Sequence, residues 1–420
     1  MSKFIINGPT KLSGEIKVNG AKNNALKILV ASLLSNEEIT INNLPNIEDV
    51  NRMIEILENL GAKTKRNLTD KSIKISTKNI QKTEINDLLA RQLRSSILLV
   101  GPLLVKLGKV TLPHPGGCVI GKRPIDLFLN GFKALGATIK MEKDHYSIKV
   151  KNKLKGAKII FPKISVTATE CLMMTAVLAN GVTELHNCAM EPEIPALAEY
   201  LNKNGAKIKG AGTSTIIIKG VKQINAGICN VIPDRIEAGT FAIMGILTNS
   251  EIKITNCETA HLESLIIKLE QMGAILEIGK DYIITKPNNG LKSTDITTHE
   301  YPGFPTDLQA PFTLLLTQSI GMSLVHETVF EGRLFYTDLL NQMGANIIMC
   351  DPHRVVLNGH TKLYGKKLIS PDLRAGITML LAGLIAEGET VIDNIYQIER
   401  GYEKIDERLS ALGANIKRVN

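Results

Sequence analysis

Six times along the chain, a residue followed by Gly-Ala opens a stretch rich in β-formers. The phrases are Leu60-Gly61-Ala62, Leu135-Gly136-Ala137, Asn204-Gly205-Ala206, Met272-Gly273-Ala274, Met343-Gly344-Ala345 and Leu412-Gly413-Ala414. Successive glycines lie 75, 69, 68, 71 and 69 residues apart. Six units of about 70 residues therefore span the chain. Helix-like runs precede the phrase, as at residues 47–60, 124–135, 192–201 and 404–412. An alternating strand follows it, as in Ala414-Asn415-Ile416-Lys417-Arg418-Val419. A glycine in that place closes a helix, because without a Cβ it enters the left-handed region at no steric cost.

A second set of helical runs comes ahead of these units, at residues 23–34, 95–107, 169–179, 237–247, 308–318 and 373–386. Each is apolar nearly all round, most plainly in Ile97-Leu98-Leu99-Val100-Gly101-Pro102-Leu103-Leu104-Val105. A helix with no polar face is buried on every side. A strand-like run follows each one, so a unit reads as strand, helix, strand, helix and two strands. The sheets must then lie outside the buried helices. The expected fold is a two-domain inside-out α/β barrel of six βαβαββ repeats, three per domain. The N-terminal segment holds two strand-like runs, Phe4-Ile5-Ile6 and Gly14-Glu15-Ile16-Lys17-Val18, but no helices of its own. It is expected to complete the C-terminal domain, which becomes discontinuous: residues 1–20 plus 233–420, with residues 21–232 as the other. Two chain crossings, near Gly20 and Pro233, make a hinge suited to closure over a substrate held in the cleft.

Composition narrows the function. Only 4% of residues are aromatic and none is Trp, too few for gripping single strands by base stacking. The net charge of +9 is compatible with nucleic acid, a membrane surface or a small anionic substrate; with no run of five or more like charges behind it, it is either a diffuse basic surface or a cluster at one anionic site. The six cysteines include no C-x-x-C pair, and Met1-Ser2-Lys3-Phe4 opens no signal peptide, so the protein reads as cytoplasmic with reduced thiols. The longest uncharged stretch, between Asp307 and Glu327, is interrupted by Gln309, Pro311, Gln318 and Gly321 and is a poor membrane span. There is no phosphate-binding glycine-lysine loop and no dinucleotide fingerprint, and His326-Glu327 begins no H-E-x-x-H. Neither a metal nor another cofactor is expected, and nothing implies an obligate protein partner.

Polar residues gather at the starts of the buried helices: Lys22-Asn23-Asn24, Arg91 and Arg94, Thr167 and Thr169, Asp234-Arg235 with Glu237, Asp307, and Asp372 with Arg374. Capping accounts for Thr167, Thr169 and Asp234. It does not account for Lys22, Arg94 and Arg374, because cations oppose the positive end of a helix. Those helix ends are expected to converge as an anion site. The loop Leu112-Pro113-His114-Pro115-Gly116-Gly117-Cys118-Val119-Ile120-Gly121-Lys122-Arg123-Pro124 sets a thiol within five residues of two cations, which lowers a thiol pKa and makes it reactive. Arg333, in Glu331-Gly332-Arg333, and Arg400, in Glu399-Arg400-Gly401-Tyr402, stand in matching loops of two late units.

These segments carry a resemblance. Ala21-Lys22-Asn23, Pro115-Gly116-Gly117-Cys118, Gly121-Lys122-Arg123-Pro124-Ile125-Asp126-Leu127, Phe304-Pro305-Thr306-Asp307, Asp372-Leu373-Arg374 and Glu399-Arg400-Gly401-Tyr402 resemble the UDP-N-acetylglucosamine 1-carboxyvinyltransferase family. The motifs run in order from Ile6 to Val419. The sister family, 5-enolpyruvylshikimate-3-phosphate synthase, shares the enolpyruvyl transferase fold but is not expected to carry the Pro-Gly-Gly-Cys loop. The resemblance implies transfer of enolpyruvyl from phosphoenolpyruvate to the 3′-hydroxyl of UDP-N-acetylglucosamine, with phosphate release, as the first committed step of peptidoglycan synthesis. It implies that Cys118 protonates the phosphoenolpyruvate methylene, that Asp307 takes the sugar hydroxyl proton and that Asp372 adjoins the reacting carbon. Lys22, Arg123 and Arg400 are implied to hold phosphate and carboxylate, with Arg94, Arg333 and Arg374 completing the cage. Asn23, Pro124, Ile125, Asp126, Leu127, Lys163, Ile164, Ser165, Val166 and Val329 are implied to contact the UDP-sugar. A catalytically altered paralogue or a basic binding module is the alternative, and the presence of Cys118, Asp307, Lys22 and Arg400 together speaks against it. Thr167, Met190 and Gly332 depart from the family pattern, without touching an implied catalytic group.

Overall fold

In the computed structural model, which describes residues 2–114, 121 and 124–419, the six phrase glycines all have positive φ, between 88° and 114°. Each closes a helix or the turn just after one. Those helices are Glu48–Leu60, Asp126–Ala134, Glu193–Lys203, Glu263–Gln271, Thr337–Gln342 and Ile405–Ala411. The apolar runs also form helices: Lys22–Ala31, Val100–Leu107, Val166–Ala176, Arg235–Leu247, Thr306–Thr317 and Leu373–Ile385. In the last of these, every residue from Leu373 to Leu384 is buried. The second differs from the sequence reading, since its first turns, Arg94–Leu99, are 3₁₀ rather than α. Pro102 supplies the reason: it has no N–H for the Leu98 carbonyl, and its ring crowds that turn. No helix among the described residues is long and apolar enough to cross a membrane.

The chain divides into two compact units. A terminal unit takes the chain up to Asn19 and from Pro233 onward, and a middle unit takes most of what lies between. Each has its own apolar core. Among the described residues each unit holds three sheets. In the terminal unit, strand Lys3–Gly8 lies between Gly388–Asp393 and Ile416–Val419, antiparallel to both. Strand Ser13–Lys17 runs parallel to Glu251–Thr255 in a second sheet. In the middle unit, Ile228–Asn230 returns to run parallel to Ile39–Asn42. Alternation decides which side is inside: Phe4 and Ile6 are fully buried, while Ile5 and Asn7 face outward. The buried helices approach closely, and a Cβ on Gly101 would sit 1.9 Å from Thr175 Oγ1 of the neighbouring helix Val166–Ala176.

One local device recurs. Asn43, Asn187, Asn256 and Asn394 each follow a central strand and have φ between 54° and 58°. Each donates its side-chain amide to the carbonyl that ends the neighbouring parallel strand: Val231, Phe161, Val18 and Ser370, at 2.7–2.9 Å. Asparagine tolerates this left-handed turn and supplies the donor as well. From Phe161 and Ser370 the chain runs on to Lys163 and Asp372, so within each unit the device fixes the start of a segment that the sequence singles out.

The middle unit also buries a lysine against a carboxyl group between two of its core helices. Lys27 Nζ lies 3.3 Å from Glu170 Oε2, and both side chains are almost wholly enclosed. Burial pushes the Glu170 carboxyl up to about 8 despite the pull of Lys27, and Glu193 and Glu191 add repulsion. Between its ordinary 4.5 and that value, the folded protein holds a proton that the unfolded chain releases. Stability must therefore fall as pH rises through this window. Glu170→Gln removes the titration, so urea denaturation at about pH 5 and about pH 8 should show a flatter pH dependence in the variant than in the wild type.

Candidate active site

Helix Thr306–Thr317 opens with the residues around which the terminal unit arranges its charge. Asp307 sits in its first turn, where a carboxylate suits the positive helix end. Arg333 Nη1 donates to Asp307 Oδ1 and Arg374 Nη2 donates to Asp307 Oδ2, each at 2.9 Å. Both arginine side chains are enclosed, at 7% and 8% exposure, while Asp307 keeps 26%. Burial alone would raise the Asp307 pKa, but Arg374 and then Arg333 outweigh it and hold the carboxyl far below the usual range. The three groups together carry one net positive charge.

The surroundings hold the arginines in place. Arg374 Nη1 lies 3.4 Å from the Tyr402 hydroxyl, which pairs with Thr240 Oγ1 at 2.9 Å. Burial raises the Tyr402 phenol to about 12. The Arg333 guanidinium stacks over Phe330 at 5.1 Å and also donates to Thr306 Oγ1 at 2.8 Å. Arg400 is buried as well and donates to Gln397 Oε1 at 3.0 Å. Asp372 caps helix Leu373–Ile385, with Oδ1 accepting from Arg374 N and Ala375 N. A sequence reading that assigns capping to Asp234 applies equally to Asp372, which shapes the Arg374 backbone. Val329 is half-buried on the loop leading to Arg333.

In the middle unit, Lys22 begins helix Lys22–Ala31, whose N-cap, Ala21, supplies no side-chain bond. Its Nζ lies 2.7 Å from Asp49 Oδ2, a buried carboxylate that holds the cation against the unfavourable helix end. Asn23 follows on the same turn. Arg94 Nη2 reaches the Pro124 carbonyl at 3.5 Å, which joins two of the expected segments. Within the run that follows, Ile125 and Leu127 are buried core residues, whereas Pro124 and Asp126 are exposed. Ser165 caps helix Val166–Ala176 by accepting from Ala168 N at 3.3 Å. The sequence reading gave capping to Thr167 and Thr169; Thr167 lies inside the helix, and Thr169 Oγ1 accepts from Ala189 N instead. Lys163 is exposed and Ile164 and Val166 are half-buried, at the mouth of that helix.

Arg91 does not head the buried helix. It lies on the short helix Asp87–Gln92 and pairs with Asp87 at the surface. Cys118 and Arg123 lie outside the described residues. Of the other cysteines, burial raises the thiols of Cys171 and Cys229 to about 12 and those of Cys188 and Cys257 to about 11, while Cys350 is exposed. No group of three or more His, Cys, Asp or Glu side chains able to hold a metal occurs among the described residues. The terminal unit thus presents a carboxylate clamped by two arginines, with a third arginine buried in the same unit, and the middle unit presents a lysine anchored on a carboxylate; groups of these kinds suit anionic substrates and proton transfer.

The family model for EPSP synthase (3-phosphoshikimate 1-carboxyvinyltransferase) matches residues 6–409. A UDP-N-acetylglucosamine 1-carboxyvinyltransferase of Koribacter versatilis is 44% identical, covering 100% of this chain and 97% of that protein. One of the same name from Shigella boydii is 43% identical, covering 100% and 99%. Among solved structures, the enolpyruvyl transferase NikO from Streptomyces tendae superposes with a TM-score of 0.90 at 22% identity, over 100% of this chain and 99% of that one. EPSP synthase from Acinetobacter baumannii gives 0.74 at 17% identity, over the whole of both chains. With its α/β units, its clamped acid at a buried helix head and relatives alike from end to end, the chain belongs to the EPSP synthase family, in the company of the UDP-N-acetylglucosamine 1-carboxyvinyltransferases.

Proposed function

We propose that the protein transfers the enolpyruvyl group of phosphoenolpyruvate to the 3′-hydroxyl of UDP-N-acetylglucosamine and releases phosphate, the first committed step of peptidoglycan synthesis. The observation that carries this reading is the Arg333–Asp307–Arg374 triad at a buried helix head, in a chain whose full-length relatives bear that activity's name. Both substrates are anions, and an array of fixed cations stabilises the charge that moves between them. The same reading takes the fold as six βαβαββ repeats in an inside-out barrel. It takes the domains as residues 1–20 plus 233–420 and residues 21–232, and the protein as cytoplasmic. Six sheets among the described residues and the positive φ of the six Gly-Ala glycines support the repeat.

The reaction is an addition followed by an elimination. In the addition, the sugar oxygen bonds to the central carbon of phosphoenolpyruvate, Asp307 accepts the hydroxyl proton, and the Cys118 thiol donates a proton to the methylene carbon. The product is a tetrahedral ketal. In the elimination, the methyl group gives back a proton, the carbon–oxygen bond to phosphate breaks, and the double bond reforms. Lys22, Arg123 and Arg400 hold the phosphate and carboxylate, Arg94, Arg333 and Arg374 complete the cage, and Asp372 adjoins the reacting carbon. Asn23, residues 124–127, residues 163–166 and Val329 hold the UDP-sugar. A carboxylate shared by two arginines is always ionised but weakly basic. An anionic substrate that draws off one guanidinium strengthens it as a base where the hydroxyl arrives.

A phosphate-release assay with both substrates tests the activity directly, and no release with either substrate omitted is the control. Asp307→Asn should retain UDP-sugar binding but lower turnover by about 100-fold or more, the scale of lost acid–base catalysis. Near-normal turnover would remove Asp307 from the mechanism.

An epoxide phosphonate, fosfomycin, mimics phosphoenolpyruvate and tests the thiol. Incubation with it should add one adduct, on Cys118, faster when the UDP-sugar is present. Cys118→Asp should stay active and resist the reagent, because it keeps a proton donor without the nucleophile. The four buried thiols are held protonated, so the exposed Cys350 is the internal control. Peptide mapping by mass spectrometry that finds the adduct on Cys350, or on no cysteine, would refute the assignment.

A further inference from the structure

Glu327 is fully buried, and the reaction above leaves it without a part. Its position repays comparison with the other strands. Strand Gly321–His326 pairs in parallel with Ile296–Thr297, as four other central strands pair with theirs. Two residues beyond the buried Ile41, Leu185, Ile254 and Ile392, those strands end in the left-handed asparagines. Two residues beyond the buried Val325 stands Glu327, outside the left-handed region. The asparagine's task passes to the next residue, since Thr328 Oγ1 donates to the Thr298 carbonyl that ends the parallel strand.

The carboxylate released from that task is fully used. Glu327 Oε1 accepts from the N–H groups of Val329 and Phe330 at 2.9 and 3.1 Å. Oε2 accepts from Thr306 Oγ1 at 2.8 Å. That hydroxyl in turn accepts from Arg333 Nη1 at 2.8 Å, the same nitrogen that reaches Asp307. The Glu327 backbone is fixed too, its N–H on the His353 carbonyl and its carbonyl on His353 Nδ1, both at 2.7 Å. One enclosed side chain therefore ties the Val329 loop to the head of helix Thr306–Thr317. With its proton committed to Glu327, Thr306 can only accept from Arg333.

We infer that Glu327 is a positioning residue for the transfer reaction: through Thr306 it sets how Arg333 grips Asp307, and through the Val329 and Phe330 amides it shapes the loop against the UDP-sugar. The inference rests on the assignment of Asp307, Arg333 and Val329 to the site. It separates two functions of one carboxylate, and variants can divide them.

Glu327→Gln keeps a carbonyl for the two amides but turns an N–H toward Thr306, which reverses the polarity of that link. Thr306→Val removes the link and keeps the shape. Each should lower kcat about 10- to 100-fold, the scale of loss when a reacting group is misplaced, with KM for UDP-N-acetylglucosamine unchanged. The Glu327→Gln/Thr306→Val double variant should lose no more than the worse single one, because both cut the same link. Glu327→Ala also frees the amides and should raise that KM as well as lower kcat. A merely structural role would lower thermal stability without this division between kcat and KM. Wild-type kcat in Thr306→Val or in a folded Glu327→Gln would overturn the inference, as would a double variant whose loss is the product of the two. Asp307→Asn is assayed beside them. Normal turnover there overturns the site assignment and the inference with it, whereas impaired turnover there with normal Thr306→Val and Glu327→Gln overturns the role of Glu327 alone.

Discussion

A helix that is apolar on every side leaves nothing polar along its length, so only its ends remain for chemistry. That constraint governs this protein. In helix Leu373–Ile385, every residue as far as Leu384 is enclosed. The groups assigned to the proposed reaction stand in the first turns or just ahead of them: Lys22, Ser165, Asp307, Asp372 and Arg374. A cation at such a place is opposed by the helix field and needs an anchor. Lys22 has Asp49, and Arg374 has Asp307 and the Tyr402 ring. In the proposed reaction these anchors keep positive charge ready for the anionic substrates.

Much of this was legible in the sequence, because it is written in local pattern. The Gly-Ala phrase marks a position that needs positive φ, and all six glycines have it. Uniform apolarity marks the enclosed helices, whose ends fall within a few residues of the expected ones. The ordered motifs name the family that the full-length relatives establish. What was not legible depends on partners far away in sequence. Arg91 and Arg94 look equivalent until Asp87 is seen beside the first. The sequence offers Thr167 and Thr169 as caps, and only backbone geometry shows that Ser165 takes that place. The Lys27–Glu170 pair joins residues on two different helices, and no periodicity reports it.

Glu327 belongs to a third class, in which the signal was present but needed a different question. Against metal motifs, His326-Glu327 is empty. Against the ends of the other central strands, it is the place where asparagine gives way to a carboxylate. A recurring turn supplies its own internal standard. Where one copy departs from a device that several others keep, the backbone task has been handed to a neighbour, here Thr328, and the side chain has been recruited for something else.

The pairing of strand Lys3–Gly8 with Ile416–Val419 has a consequence for the protein's birth. Synthesis at roughly 5–20 residues per second takes about 20–80 s to cover the intervening 400 or so residues. Throughout that time the N-terminal strands are out of the ribosome and lack the partners that will enclose Phe4 and Ile6. The middle unit waits about half as long, since its closing strand, Ile228–Asn230, follows its partner Ile39–Asn42 by about 190 residues. One unit can therefore be complete while the other still waits, its first apolar side chains open to chaperones.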